Sequence, residues 1–261
     1  MTAASIEVPS FRILGVRVNP LEIPDVMSVM EQWIADKDKH HYIVASGMHG
    51  IMEAQKNAQF QTVVETSDLF VPDGFSVVWL ARRKGYLLKR RASGPDLMWS
   101  FCELAQEKGY SCFFYGDTDD TLSALTNRLN QELPNLKIAG CYSPPFRELT
   151  PEEDEEIIRI INDSNADVVW IGLGLPRQER WMYEHRDKLN VPVAVGVGAA
   201  FKFISGKVNR APAWAGDHGI EWLWRFTQEP KRLWRRVIID VPHFAFLLLM
   251  ERWFTKKRRN N

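Results

Sequence analysis

The sequence predicts an α/β fold, a three-layer Rossmann-like domain built on a parallel sheet and followed by a helical, basic C-terminal appendage. Short β-rich runs alternate with amphipathic stretches over the first 205 residues, a pattern typical of βαβ units. Several runs are apolar throughout, among them residues 168–171 and 193–197, as expected of parallel strands that helices cover on both faces. Beyond about residue 205 the strand-like runs stop. We therefore predict an α/β body at residues 1–205 and an appendage at residues 206–261.

Each element of the body follows from its hydrophobic period. Alternating or continuous apolar runs predict strands at residues 13–18, 42–45, 69–71, 112–115, 137–141, 168–171 and 193–197. Amphipathic stretches predict helices at residues 25–37, 49–55, 75–84, 95–108, 118–132, 151–162 and 176–189. In the appendage, the prolines at positions 212 and 230 predict a break into short helices.

Composition limits the class of protein. A chain of 261 residues with 45% hydrophobic and 25% charged residues is neither disordered nor a multi-pass membrane protein. Its three cysteines form no Cys-x-x-Cys pair, which favours a reducing, cytoplasmic compartment. Residues 1–10 lack the pattern of a signal peptide. The apolar run at residues 237–250 is too short to span a bilayer.

The net charge of zero conceals an asymmetry. Residues 206–261 contain twelve Lys and Arg against five Asp and Glu, whereas residues 1–205 contain 21 against 28. Five of the ten tryptophans also lie in the appendage. We expect no nucleic-acid partner, but an anionic membrane surface or a diphosphate that the arginines would bind. The residues expected at the membrane are Trp234, Arg236, Trp253, Lys256, Lys257, Arg258 and Arg259.

Candidate site residues follow the predicted strands, because open parallel sheets bind ligands at the carboxyl ends of their strands. Asp73 comes directly after an apolar strand within Pro-Asp-Gly, which is either a plain turn or a carboxylate placed to act as a general base. Glycines at other strand ends would let a phosphate approach the backbone and the next helix N-terminus. These strand-end residues are Ser46, Gly47, Gly172, Gly174 and Gly198.

Two further patterns have competing interpretations. Asp117-Thr118-Asp119 imitates a metal-binding Asp-x-Asp motif, but its place at a helix start favours a cap, so no metal site is predicted. Gln178 lies in the first turn of a predicted helix that begins at Pro176, and it is expected either to face solvent or to reach the strand end.

Several motifs recur in an order that resembles the WecG/TagA/CpsF glycosyltransferase family, over roughly residues 11–240. The motifs are residues 71–74 (Val-Pro-Asp-Gly), 91–96 (Arg-x-x-Gly-x-Asp), 172–181 (Gly-x-Gly-x-Pro-x-Gln-Glu-x-Trp), 196–201 (Gly-Val-Gly-Ala-Ala-Phe), 206–207 (Gly-Lys), 210–212 (Arg-Ala-Pro), 219–222 (Gly-x-Glu-Trp) and 228–232 (Gln-Glu-Pro-x-Arg).

The resemblance implies an inverting, metal-independent transferase without a cofactor. It would move a sugar from a UDP-sugar, with N-acetylmannosamine or glucose as the sugar, to a polyprenyl-diphosphate-linked acceptor during cell-surface polysaccharide assembly. It would be cytoplasmic and attached peripherally to the inner face of the cell membrane. By motif, Asp73 is the implied base, Arg91 and Gln178 line the site, and arginines of the appendage close over the nucleotide. Those arginines are Arg225, Arg232 and Arg235.

Two departures from the family pattern concern the donor site. Residues 45–47 read Ala-Ser-Gly where relatives often have Thr-x-Asn, and Lys202 replaces a carboxylate of the nucleotide site. Two other functions stay open at this point. One is a nicotinamide-dependent oxidoreductase using a Gly-x-Gly loop, which needs an acid at the next strand end. The other is a non-catalytic peripheral membrane scaffold.

Overall fold

The computed structural model describes residues 8–36, 39–209, 211, 221–228 and 230–259. The described residues form eight strands and the helices that connect them. Six of the strands form one sheet, all parallel, in which they lie side by side in the order Leu69–Pro72, His41–Ser46, Val193–Gly196, Val168–Gly172, Ser111–Gly116 and Lys137–Tyr142. The predicted parallel α/β class is therefore confirmed. The strands are β1 (Phe11–Ile13), β2 (Val16–Val18), β3 (His41–Ser46), β4 (Leu69–Pro72), β5 (Ser111–Gly116), β6 (Lys137–Tyr142), β7 (Val168–Gly172) and β8 (Val193–Gly196).

Helices cover both faces of the sheet and create two apolar cores. One core packs beneath the helices Met48–Lys56, Ala58–Glu65, Phe75–Arg83, Pro151–Asp163 and Arg177–His185, and the other beneath Ile23–Ala35, Gly94–Lys108, Asp119–Glu132 and Ala200–Ile204. The central strands β7 and β8 are buried along their whole length, which explains their uninterrupted apolar sequences. The body's helices are α1 (Ile23–Ala35), α2 (Met48–Lys56), α3 (Ala58–Glu65), α4 (Phe75–Arg83), α5 (Gly94–Lys108), α6 (Asp119–Glu132), α7 (Pro151–Asp163), α8 (Arg177–His185) and α9 (Ala200–Ile204).

Residues 13–18 do not form the single strand that their alternation predicts. They contain a turn, and β1 and β2 pair antiparallel as a separate hairpin. Leu14 (φ 48°) and Gly15 (φ 82°) both adopt the left-handed conformation that a tight two-residue hairpin turn requires. A second difference is α3, which the sequence did not separate from its surroundings. Asn57 precedes its first residue and caps it, because the Asn57 side-chain oxygen accepts from the N–H of Phe60 (3.0 Å).

The C-terminal helices are α10 (Glu221–Gln228), α11 (Pro230–Arg235), a π-helical segment (Arg236–Asp240) and α12 (Val241–Arg259). Pro230 begins α11, as the predicted break requires, whereas Pro212 lies outside the described residues. The final helix is long, at 19 residues. Phe244 is buried in the core beneath α2, and Lys56 pairs with the buried Asp240 (2.6 Å). Among the described helices, none is long and apolar enough to cross a membrane.

Candidate active site

The candidate site lies at the edge of the sheet where the parallel strands end. The helix that follows β3 lies on one face of the sheet, where Ile51 and Met52 join one core. The helix that follows β8 lies on the other face, where Phe201 and Ile204 join the second core. Because β3 and β8 are neighbours, the chain diverges between their ends. Open α/β sheets bind ligands at divergences of this kind.

Asp73 lies at this edge as the first residue after β4. Its backbone N–H donates to the carbonyl oxygen of Ser46 (3.1 Å), which ties the end of β4 to the end of β3. Its carboxylate Oδ1 accepts from the backbone N–H of Gly94 at the start of α5 (3.3 Å). A helix N-terminus favours a negative charge beside it. Asp73 is thus a half-buried carboxylate at the strand edge, held from two sides.

The start of α5 is wedged between Asp73 and β8. A Cβ atom on Gly94 would lie only 2.9 Å from the carbonyl oxygen of Val197, so only glycine allows this approach. Arg91 lies three residues earlier, and the residue after it donates its backbone N–H to Pro72 at the end of β4 (2.9 Å). The half-buried Arg91 is therefore carried to the same edge as Asp73.

Ser46 and Gly47 bring the loops after β3 and β4 into contact. Ser46 is buried, and its hydroxyl packs against Gly50 in the first turn of α2. Gly47 packs against Gly74, whose Cα would lie 3.1 Å from a Cβ on Gly47. The two loops therefore meet through their backbones, next to Asp73.

Gln178 joins the loops that follow β7 and β8. Its Oε1 accepts from the backbone N–H of Gly174 (3.2 Å) and from that of Gly198 (2.9 Å). Its Nε2 donates to Oε1 of Glu179 (2.8 Å). The side chain is buried, and Gly172 is buried at the end of β7. Both heteroatoms of the Gln178 amide are thus bonded within the protein, and direct contact with a substrate stays a prediction.

Glu179 is a fully buried carboxyl beside this amide. Burial raises its pKa from 4.5 to about 7, and the hydrogen bond from Gln178 acts in the opposite direction. In the part of the chain that the structure describes, no donor reaches its second oxygen, Oε2. Glu179 therefore changes its charge near neutral pH.

The sequence Asp117-Thr118-Asp119 begins α6. Thr118 is the cap, because its hydroxyl oxygen accepts from the N–H of Thr121 (3.2 Å). The nearly buried carboxylate of Asp117 lies 3.8 Å from Nζ of Lys202, which adds a cation near the ends of β5 and β8. Within the described ranges, no group of three or more His, Cys, Asp or Glu is arranged to hold a metal ion.

The C-terminal helices contribute fewer described side chains. The guanidinium of Arg235 lies 5.4 Å from the ring centroid of Trp234. Trp234 and Trp253 are exposed. The remaining predicted side chains lie outside the described part of the structure: Arg225, Arg232, Arg236, Lys256, Lys257, Arg258 and Arg259.

Glu179 and Asp117 also lie at this edge, although no functional role was predicted for either of them. For Glu179, the helical periodicity of the sequence offers a signal. Gln178, Met182 and His185 share one face of α8 with Trp181, and that face is buried. A polar pair at the start of such a face indicates an internal hydrogen-bond network rather than a solvated turn. For the oxidoreductase alternative, the described residues after β8 form helices and provide no further strand end at which the acid that it needs would lie.

Comparison with known proteins identifies the chain's relatives. The model of the glycosyl transferase WecG/TagA/CpsF family matches residues 11–258. An N-acetylglucosaminyldiphosphoundecaprenol N-acetyl-beta-D-mannosaminyltransferase of Bacillus spizizenii is 31% identical over 228 residues, 87% of this chain and 86% of that protein. The protein of the same name from Bacillus subtilis is 31% identical over 76% of this chain and 75% of its own length. A Staphylococcus aureus protein of that name is 25% identical over 95% of both chains.

Proposed function

The chain belongs to the WecG/TagA/CpsF family of glycosyl transferases, and from this premise we propose that it transfers a sugar from a UDP-sugar to a polyprenyl-diphosphate-linked acceptor, with inversion at the anomeric carbon. The names of the relatives describe N-acetylmannosaminyltransferases that act on N-acetylglucosaminyldiphosphoundecaprenol. They support UDP-N-acetylmannosamine as the donor and a diphosphoundecaprenol-linked sugar as the acceptor, in a teichoic-acid type of assembly. UDP-glucose is the alternative donor.

The observation that carries the proposal is the position of Asp73. A half-buried carboxylate lies at the divergent strand edge, held by the N–H of Gly94. The loops that follow β3, β4, β7 and β8 contain glycines and lie at the same edge, where the lack of a side chain would let a diphosphate approach the backbone. A base and a phosphate-binding backbone on one edge are what a nucleotide-sugar transferase needs.

In the proposed reaction, Asp73 accepts the proton of the acceptor hydroxyl as its oxygen attacks the anomeric carbon. The new bond joins that carbon to the acceptor oxygen, and the bond to the diphosphate oxygen breaks on the opposite face. UDP leaves with the bonding electron pair, and the proton on Asp73 passes to solvent. Developing charge on the diphosphate requires fixed cations and helix N-termini. Arg91, Lys202 and the arginines Arg225, Arg232 and Arg235 are the proposed cations.

We propose that the reaction needs no bound metal. The capping role of Thr118 and the ion pair between Asp117 and Lys202 support this, because they give the Asp-x-Asp sequence a structural function. Activity should then withstand EDTA. Loss of activity on chelation, with recovery on adding Mg²⁺ or Mn²⁺, would contradict metal independence while leaving the transfer itself in place.

Asp73→Asn tests the base directly. Asn keeps an oxygen that accepts from the Gly94 N–H, so the fold and UDP binding should be preserved. We expect turnover to fall by about 10²- to 10⁴-fold, the usual contribution of a general base. UDP release with a short-chain polyprenyl-diphosphate acceptor measures turnover, and calorimetry measures UDP binding. Asp119→Asn, at an exposed position in the first turn of α6, is the matched control. Normal turnover of Asp73→Asn would refute the base assignment.

We further propose that residues 1–205 form the catalytic body and that the appendage at residues 206–261 closes the site and binds the inner face of the membrane. Helix α12 supports this. Its inner face packs on the body through Phe244, Leu247 and Leu248. Phe246, Leu249 and Trp253 follow the three- and four-residue spacing of one helix face and are 57%, 65% and 58% exposed. An exposed apolar face that ends in a basic segment suits an anionic bilayer surface.

Replacing exposed residues of this face tests membrane binding without disturbing the packed one. Phe246→Glu with Trp253→Glu should abolish flotation with vesicles of phosphatidylglycerol and phosphatidylcholine. Phe146→Glu, at a body residue that is 80% exposed, is the matched control and should float like the wild type. Undiminished flotation of the double variant would refute the role of this face.

A further inference from the structure

A short hydrogen-bonded chain runs from Glu179 through Gln178 to two loops of the candidate site. The backbone N–H groups of Gly174 and Gly198 are donors only, so they require an acceptor between them. Gln178 meets this need with Oε1, which directs its Nε2 toward Glu179. If the Gln178 amide were rotated, its NH2 group, which is itself a donor, would face the N–H donors of Gly174 and Gly198. The acceptor provided by Glu179 therefore selects the amide orientation that holds both loops.

This arrangement carries a cost in stability. Glu179 is fully buried, and no donor from the described residues reaches its Oε2. A buried carboxyl with an unsatisfied oxygen disfavours folding, particularly when it is ionised. Met182, three residues further along the same helix, fills the core without such a penalty. Polar groups retained at a cost are typical of functional sites.

We infer that Glu179 is a positioning residue: by fixing the Gln178 amide, it sets the spacing between the loop after β7 and the loop after β8. The inference rests on the proposed function, because the two loops affect transfer only if this sheet edge binds the donor. Gly94, which contacts Val197 just before Gly198, links the second loop to the segment that holds Asp73. Displacement of that loop would thus reach the proposed base as well as the donor.

Three variants separate positioning from general packing. Glu179→Met keeps most of the side-chain volume but removes the acceptor for Gln178. Glu179→Gln keeps an acceptor oxygen and removes the ionisable group. Glu184→Gln, at an exposed position on the same helix, is the matched control.

The first readout is kinetic. Glu179→Met should lower kcat/KM for the UDP-sugar by about tenfold to a hundredfold, the usual effect of misplacing groups at a site by about 1 Å. The loss should include a higher KM for the donor, with the KM for the acceptor little changed. For Glu179→Gln, kcat/KM should stay within about twofold of the wild-type value because the acceptor oxygen is kept. The same is expected of Glu184→Gln because that side chain is exposed.

The second readout does not depend on activity. Hydrogen exchange of the amides in residues 172–175 and 197–199 should be faster in Glu179→Met than in the wild type and unchanged in Glu179→Gln. If Glu179→Met retained both the kinetics and the hydrogen exchange of the wild type, the inference would be overturned. Equal losses in Glu179→Gln and Glu179→Met would also overturn it, because the acceptor oxygen would then not be the operative feature.

Folding and the proposed function are controlled separately. If Glu179→Met does not fold, Glu179→Ala replaces it, and failure of both to fold would overturn the inference in favour of a purely structural role. If the wild-type protein does not release UDP from any donor, the proposed function fails. Faster loop exchange in Glu179→Met would still show that Glu179 positions the loops, so the two failures are distinguishable.

Discussion

Replacing Lys56 with Met is expected to loosen the C-terminal helices from the body. The ammonium of Lys56, at the end of α2, lies 2.6 Å from a carboxylate oxygen of Asp240 in the π-helical segment. The Asp240 side chain is only 7% exposed, whereas that of Lys56 is 47% exposed. Met preserves the length of the side chain and leaves the Asp240 carboxylate buried beside a neutral neighbour.

The magnitude lies between two limits. Exposed ion pairs contribute about 0–1 kcal/mol, whereas removing one partner of a buried pair costs about 3–5 kcal/mol. Because one partner is buried and the other is half in solvent, we expect about 1–3 kcal/mol. A free-energy change of that size shifts the equilibrium between docked and undocked helices by about 5- to 150-fold.

Hydrogen exchange of α12 measures this equilibrium, because local opening exposes amides in proportion to the population of the open state. Lys108→Met is the matched control, since Lys108 pairs with Glu31 at 3.5 Å and is 55% exposed. The control should change exchange in α12 by less than about twofold. Asp240→Asn should partly rescue Lys56→Met by removing the buried charge. Unchanged exchange in Lys56→Met, or a double variant in which the two losses simply add, would refute the reasoning.

Two further substitutions have expected outcomes. Gly94→Ala brings a Cβ atom within 2.9 Å of the Val197 carbonyl oxygen, so it should cost about 1–3 kcal/mol in urea unfolding and also lower turnover; an unchanged urea midpoint would contradict it. The pKa of Glu179 is about 7 in the folded protein, against 4.5 for an ordinary Glu in the unfolded chain. The free energy of unfolding of the wild type should therefore fall by about 3 kcal/mol as the pH rises from 4.5 to 7. Glu179→Gln should not show this loss. If urea unfolding gave parallel pH profiles for the two proteins, Glu179 would not be the source of the pH dependence.

The sequence was a good guide wherever one local pattern decides the structure. Uninterrupted apolar runs such as residues 168–171 are typical of parallel strands covered on both faces, and β7 and β8 are buried throughout. In a parallel sheet all carboxyl ends meet at one edge, so residues that follow strands, such as Asp73 and Gly198, were predictable as neighbours at that edge.

Long-range contacts and unusual backbone conformations were not predictable. No local pattern reveals that α5 brings Gly94 between Asp73 and Val197, because this depends on where β8 inserts in the sheet. The hairpin turn was missed because Leu14 adopts positive φ without the usual Asn or Gly at its position. For Gln178, the first-turn position suggested access to solvent or substrate, whereas packing of α8 buries it and turns its amide toward two loops.

The place of β8 in the sheet has a consequence for synthesis of the chain. Strands β3 and β4 pair with each other, and β5 pairs with β6 and β7, but among the described strands β8 alone joins these two groups. On the ribosome, the sheet can exist only as two separate halves until residues 193–196 emerge. Until then, the two halves cannot combine into one sheet, because a single four-residue strand joins them. The basic C-terminal segment emerges afterwards, so the halves can join before the part proposed to bind the membrane has left the ribosome.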